Sequence, residues 1–197
     1  ANDISLKVAF GRSTIDQPIY PRSGSEFSAT LAFTPPYSLW DGIDYGDKNL
    51  SEQTRYKMIE YHRWQFKGRW FQALTRNDKL VLMAAAEMGF LGHYNKNKLS
   101  PFQRYEVGGD GMSGYSYSYA TETIALRGYE NGSLTPYGYE GYAYSRLGLE
   151  LRYPLMLEGS TNIYALAFVE GGNAWSDVKD FNPFNMKRSA GAGVRIF

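Results

Sequence analysis

Ile4, Leu6, Val8 and Phe10 alternate with Ser5, Lys7, Ala9 and Gly11, a period of two that predicts a strand with one apolar face. The period returns after a turn-rich stretch ending in Pro21-Arg22-Ser23-Gly24, with Phe27, Ala29, Leu31 and Phe33 set against Ser28, Thr30, Ala32 and Thr34. Pro35-Pro36 stops it, because proline brings no donor to a sheet ladder. A polar loop through Asp41, Asp44 and Asp47 leads to a third strand, in which Trp64, Phe66, Gly68 and Trp70 alternate with Arg63, Gln65, Lys67 and Arg69. Gln72 to Asp78 reads as a short turn. Leu80, Leu82, Ala84, Ala86, Met88 and Phe90 then alternate with Met83, Ala85, Glu87 and Gly89, although the alanines leave a helix open as the other reading.

From Asn95 to Gly141 the chain is a long Gly/Tyr/Ser-rich loop, far beyond the usual connection of about 4 to 6 residues. Three strands follow it. Leu147, Leu149, Leu151 and Tyr153 oppose Arg146, Gly148, Glu150 and Arg152; a further strand runs from Ile163 to Trp175; and in Lys187 to Phe197, Ala190, Ala192, Val194 and Ile196 oppose Ser189, Gly191, Gly193 and Arg195. The pattern predicts seven strands and no helix. Short connections (72 to 78, 157 to 161) alternate with long ones (37 to 55, 95 to 141), the asymmetry of an up-and-down barrel.

Composition narrows the function classes. The chain has 197 residues, with 21 Lys+Arg against 20 Asp+Glu, so no broad basic field points to a nucleic-acid partner. With no Cys and only His62 and His93, thiolate zinc sites, disulfide scaffolds, cysteine nucleophiles and multi-histidine metal sites drop out. Aromatic residues make up 16% of the chain alongside 21 glycines, and mean hydropathy is −0.44, the balance of a β-rich protein. No apolar stretch reaches the roughly 18 residues that a membrane-spanning helix needs.

Alternation alone fits both a β-sandwich in water and a membrane barrel. The placement of the aromatics favours the barrel: Phe10, Phe33, Trp70, Phe90, Tyr153 and Trp175 lie at or near strand ends, as interfacial girdles do. The opposite faces mix small residues with charges of both signs, such as Arg146, Glu150 and Arg152, which suits a crowded lumen. The residues expected to face lipid are Ile4, Leu6, Val8, Phe27, Leu31, Phe33, Trp64, Phe66, Leu82, Met88, Leu147, Leu149, Leu151, Ala165, Val169, Ala190 and Val194.

Ala125-Leu126-Arg127-Gly128-Tyr129 resembles the hydrophobic-Arg-Gly-aromatic motif in the sixth extracellular loop of BamA-type outer-membrane assembly factors. Upstream, Pro101-Phe102 and Gly108-Gly109 are similar to the family's approach to that motif, followed by a long spacer from Asp110 to Thr123. Downstream, Phe168-Val169-Glu170-Gly171-Gly172-Asn173-Ala174-Trp175 and Arg188-Ser189-Ala190-Gly191-Ala192-Gly193-Val194 resemble two successive family strands. Tyr20-Pro21-Arg22-Ser23-Gly24 resembles an earlier family turn.

The resemblance implies an all-β, antiparallel transmembrane barrel in the outer membrane of a Gram-negative-type envelope, present as about seven of about sixteen strands, roughly the eighth to fourteenth. Residues 1–197 then form part of one barrel domain, without the family's POTRA domains or the strands of its lateral seam. The implied function is insertion of nascent outer-membrane barrel proteins. Outer-membrane lipoproteins, the bilayer and the rest of the barrel are the implied partners, with no cofactor, metal or bond-making step. Two alternatives stand beside it: a two-partner-type translocation pore of the same superfamily, and a small complete barrel acting as a surface binding protein, suggested by the ending Arg195-Ile196-Phe197.

The same resemblance implies that the long loop folds into the lumen, where Arg127 pairs with Glu170, Gly128 permits close backbone approach and Tyr129 packs against Phe168 or its neighbours. Other candidate chemistry is weaker. Gly111-Met112-Ser113-Gly114 lacks the strand-turn-helix setting of a nucleophile elbow. Asp41, Asp44 and Asp47 lack the central Gly and terminal Glu of a calcium loop, which favours a solvated loop. Tyr115, Tyr117, Tyr119, Tyr137, Tyr139, Tyr142 and Tyr144 fit either an adhesive surface or packing over the barrel mouth.

Overall fold

The computed structural model describes residues 2–95, 103–110, 121–136, 141–158 and 161–197. Among the described residues, nine strands alternate with short connections and loops: β1 (Leu6–Ser13), β2 (Ser23–Phe33), β3 (His62–Ala73), β4 (Val81–Gly92), β5 (Arg104–Val107), β6 (Thr121–Ile124), β7 (Ala143–Glu158), β8 (Thr161–Trp175) and β9 (Lys187–Ile196). Seven of them form one antiparallel sheet in the order β1-β2-β3-β4-β7-β8-β9, the topology of a barrel wall. The Ala-rich run is a strand, not a helix. Val81 to Phe90 pair with β3 on one side and β7 on the other, so their backbone groups are spent on inter-strand ladders.

The structure departs from the sequence pattern in two places. Residues 95–141 are not one structureless loop, because β5 and β6 form a two-stranded parallel ladder within them, from Arg104↔Thr121 to Val107↔Ile124. The pattern hid these strands because each has only four residues, too short a run for an alternation to show. The connection after β2 also holds two short helices, α1 (Tyr37–Asp41) and α2 (Glu52–Arg55), where no helix was expected. Ser51 caps α2, its side chain accepting from the Thr54 amide.

One face of the seven-stranded sheet is apolar and, over most of its area, bare. None of the residues expected to face lipid is buried, and Ile4, Leu6, Val8, Leu149, Val169 and Val194 are each more than half exposed. A sandwich would bury this face against a second sheet; the β5–β6 ladder lies instead on the opposite, polar face. Register keeps the parity from strand to strand, since Phe33 faces Leu6, Trp64 faces Leu31 and Phe90, and Leu149 faces Ala84 and Val169. β1 and β9 are the two open edges of the sheet, so the small closed barrel is not the architecture seen. Unpaired edges in lipid cost too much to stand alone, which fits a part of a larger barrel.

The inner face carries two packed clusters. Near the short connections, Tyr20, Phe71, Val81, Met83, Tyr164 and Leu166 pack together. Near the long connections, Ile59, Tyr61, Leu91, Tyr105, Val107, Ile124, Leu126, Tyr142 and Tyr144 form the second cluster, part of which the long loop supplies. In a barrel of this kind the short turns face the periplasm and the long loops face the outside.

The turn motif at Tyr20 to Gly24 now has a physical meaning. The Tyr20 hydroxyl donates toward the carbonyls of Lys79 at 2.9 Å and Arg152 at 3.0 Å, which seats its ring in the cluster near the short connections. Burial pushes that hydroxyl's pKa up to about 12, so it remains a donor. Gly24 has φ +102°, and a Cβ there would meet the Thr14 carbonyl oxygen at 2.2 Å, so only glycine closes this turn without strain.

Candidate lumenal site

Strand parity sends Glu150 from β7 and Glu170 from β8 into the lumen, where their side chains are 1% and 2% exposed. Carboxylates so deeply placed need cations. Arg127 supplies one: its Nε donates to Glu170 Oε1 at 2.7 Å, its Nη2 reaches the same oxygen, and its backbone amide donates to Oε2 at 3.2 Å. Its Nη1 lies 3.1 Å from Glu150 Oε2, so one guanidinium ties the loop to two adjacent strands. Beneath it the Phe168 ring takes the planar face of the guanidinium, with Cζ 3.5 Å from the ring centroid.

The network continues along the wall. Arg146 Nη2 sits 3.1 Å from Glu170 Oε1, and its Nη1 lies 3.4 Å from Glu87 Oε1 on β4. Arg152 Nε donates to Glu150 Oε1 at 2.7 Å, while Arg195 on β9 holds Glu150 at 3.6 Å and the Tyr164 hydroxyl at 3.2 Å. Four guanidiniums thus meet three carboxylates across β4, β7, β8, β9 and the loop. The network itself lines an open lumenal cleft of about 630 Å³, to which Arg12, Glu26, Lys67 and Arg69 also contribute.

Glycines make the room for this packing. Gly128 has φ +86°, and a Cβ there would come 3.2 Å from Ser189 Cβ, so the loop backbone can lie close on β9. On β9 itself, a Cβ at Gly191 would strike the Phe168 ring at 2.7 Å, and on β8 a Cβ at Gly172 would crowd Leu126 at 3.4 Å. The glycine-rich strand motifs are therefore seats for Phe168 and for the loop.

Tyr129 departs from the expected arrangement. It packs with the extracellular cluster, whereas Phe168 packs with the periplasmic one, and the Tyr129 hydroxyl donates to the Arg188 carbonyl at 2.8 Å. The reason is spatial: the Arg127 guanidinium already occupies the face of Phe168.

The Omp85 superfamily domain matches residues 1–196. The chain belongs to that superfamily. Its fold is also that of the barrel portion of a BamA-type protein: a solved BamA from Haemophilus ducreyi lacking POTRA domains 1–3 superposes with a TM-score of 0.60 at 20% identity. That match covers 96% of this chain and 35% of the BamA chain, so this Omp85 chain spans about a third of its relative's length. No curated protein matches its sequence at a significant level. Family and fold imply a β-barrel of the outer membrane, and among the described residues no helix is long and apolar enough to cross a membrane.

A second pin on the loop escaped the sequence reading. Glu122 on β6 forms an ion pair with Arg63 on β3, accepts from Gln65 Nε2 at 2.7 Å and lies 3.5 Å from Lys67 Nζ. Arg63 Nη1 also donates to Gln103 Oε1 at 3.1 Å, just before β5. The loop of this Omp85 chain is thus fastened to β3 by Glu122 and to β7 and β8 by Arg127, spanning the inner face like a strut. The available signal was the run Arg63, Gln65, Lys67, Arg69, three cations and an amide on one lumenal face, where Glu26 stands opposite Arg69 and Glu87 opposite Lys67 but only Ala32 and Leu91 stand opposite Arg63. Glu122→Ala is expected to cost about 1–2 kcal/mol, since the lost pair is partly exposed, and to speed protease cleavage between residues 103 and 126. Unchanged cleavage in the folded protein would show that Glu122 holds nothing.

The other candidates resolve simply. Asp41, Asp44 and Asp47 each accept from the backbone amide two residues on, Ile43, Gly46 and Asn49, all at 2.9 Å, which makes them turn-formers. Tyr142 and Tyr144 are buried in the extracellular cluster, with Tyr144 edge-on to Tyr105 at 4.6 Å. Residues 111–114, Tyr115, Tyr117, Tyr119, Tyr137, Tyr139 and Pro101-Phe102 lie outside the described residues.

Proposed function

We propose that this chain is wall and lumenal loop of a BamA-like insertase, which helps nascent outer-membrane barrel proteins fold into the bilayer without nucleotide, cofactor or bond-making chemistry. The proposed domain organisation is one partial barrel over residues 1–197, completed by further strands and served by POTRA domains, with outer-membrane lipoproteins as partners. The physical task is set by the bilayer, which does not accept a strand whose backbone groups are unpaired. A catalyst must therefore present a stable wall beside a pairing edge or a thinned membrane.

The observation that carries this reading is the loop segment from Glu122 to Arg127 laid along the inner face and pinned at each end, by Glu122 to β3 and by Arg127 to Glu150 and Glu170. Such a strut resists ovalisation of a wide barrel while a client adds strands elsewhere. In this reading Arg127 and Glu170 form the lock, Phe168 and Gly128 give it room and backing, and Tyr129 ties the loop to β9.

The test is depletion of the full-length protein in its own cell. Outer-membrane barrel proteins are expected to fall several-fold and to return with the wild-type gene but not with Arg127→Ala. Normal barrel levels with loss of a single secreted protein would overturn the insertase reading in favour of the two-partner pore.

A further inference from the structure

The β8–β9 connection, residues 176–186, folds back over the outer face of the wall instead of over the lumen. Phe181 sits edge-on to Phe90 and to Trp175, with ring centroids 4.8 and 4.9 Å away. Both of those rings have outward parity, and register places Ala143 between them, where the flap leaves it 0% exposed. The Asn185 carbonyl accepts from Asn173 Nδ2 at 2.9 Å, and Met186 covers Gly171, whose added Cβ would meet it at 3.4 Å. Asn173 and Gly171 share the outward parity of Val169, which is 56% exposed. A short 3₁₀ turn at Val178–Asp180 completes the flap.

Beyond these contacts the flap presents Phe184, 83% exposed and the most exposed large apolar side chain among the described residues, with Val178 at 40%. A phenyl ring in water beside a membrane-facing wall has an obvious place to go. We propose that the flap is an interfacial anchor, with Phe184 and Val178 inserted into the outer leaflet around the extracellular rim of the barrel. The occupant follows from continuity: the flap rests on the same face as Met88, Leu147 and Leu149, which the outer-membrane barrel reading gives to lipid, and this inference rests on that reading. Aromatic side chains concentrate at this depth in membrane barrels. Lys179 stands against Asp177 and Asp180, so headgroup charge adds little and apolar burial is the attraction. A flap anchored in this way would couple outer-leaflet packing to the β8–β9 pair, whose first strand carries Glu170.

The test uses the full-length protein in vesicles of phosphatidylethanolamine and phosphatidylglycerol. A nitroxide is attached at Phe184→Cys, with reference labels at Leu149→Cys on the wall and Lys48→Cys in the exposed β2–β3 connection. Any native cysteine elsewhere in the full-length chain is first replaced, and a label at Val178→Cys carries the same expectation should the Phe184 variant fail to assemble. Label 184 is expected to favour oxygen over a water-soluble nickel complex several-fold, as Leu149 does and Lys48 does not. An oxygen-favoured Leu149 with a nickel-favoured 184 would place the flap in water and overturn the anchor while leaving the barrel reading intact. A nickel-favoured Leu149 would overturn both. Spin–spin broadening at 184 that disappears on dilution with unlabelled protein would assign the flap to a second copy and also overturn it.

Discussion

Arg127→Ala is expected to destabilise the assembled barrel by about 3 kcal/mol, the low end of the cost of breaking a buried ion pair. Glu170 is 2% exposed, and removing Arg127 takes away two side-chain donors and loosens the loop that brings its backbone amide to the same carboxylate. The cost stays at the low end because Arg146 still reaches Glu170 at 3.1 Å, and Arg152 still holds Glu150 at 2.7 Å. Glu170→Ala leaves Arg127 and Arg146 more freedom to turn to water, since each is about a quarter exposed. The double variant is therefore expected to fall short of the sum of the single costs by about 1–3 kcal/mol, as contacting residues do. Heat-modifiable gel mobility of the full-length protein, followed against urea, reads all four states. Strictly additive losses would mean that the two residues do not act as a pair.

Leu149→Arg is expected to cost about 2–4 kcal/mol, the penalty for a guanidinium near the bilayer midplane on the lipid face. Leu149 is 54% exposed on the bare apolar face, flanked in register by Ala84 and Val169, so nothing in the chain can solvate the charge. Its lumenal counterpart is Lys67→Ala, whose side chain is 45% exposed and 3.5 Å from Glu122; that change should cost less than about 1 kcal/mol. Arg146 is a poorer comparison, because it bridges Glu87 and Glu170 and its loss would disturb the lock itself. Equal sensitivity of the two faces in a detergent-refolding titration would contradict the membrane orientation of the sheet.

The legibility of this chain followed the periodicity of its residues. Strands with one face to lipid and one to the lumen carry a hard alternation, as in Leu147, Leu149 and Leu151 against Arg146, Gly148 and Glu150, and each was visible without coordinates. Strands β5 and β6 were not, because each has four residues, too few to show a period. Arg127 and Glu170 were singled out by family resemblance together with the parity of Glu170. Glu122 carried no motif, and only the loop's path across the inner face brings it to Arg63 and Gln65.

Alternation, aromatic placement and the spacing of turns were local properties, and by themselves they determined the strand count of the wall, its outward residues and its long-loop asymmetry. Tertiary structure decided what lies at long separations in sequence. It set Tyr129 on Arg188 and Arg127 on Phe168, fastened the loop at a second point through Glu122, and laid Phe181 over the outer wall between Phe90 and Trp175. The physical reason is that local pattern fixes which face a side chain takes, because neighbouring residues share one backbone geometry. Which partner it meets there depends on chain path, and the path of a long connection is chosen by the summed burial and ion pairing of residues that the sequence holds far apart.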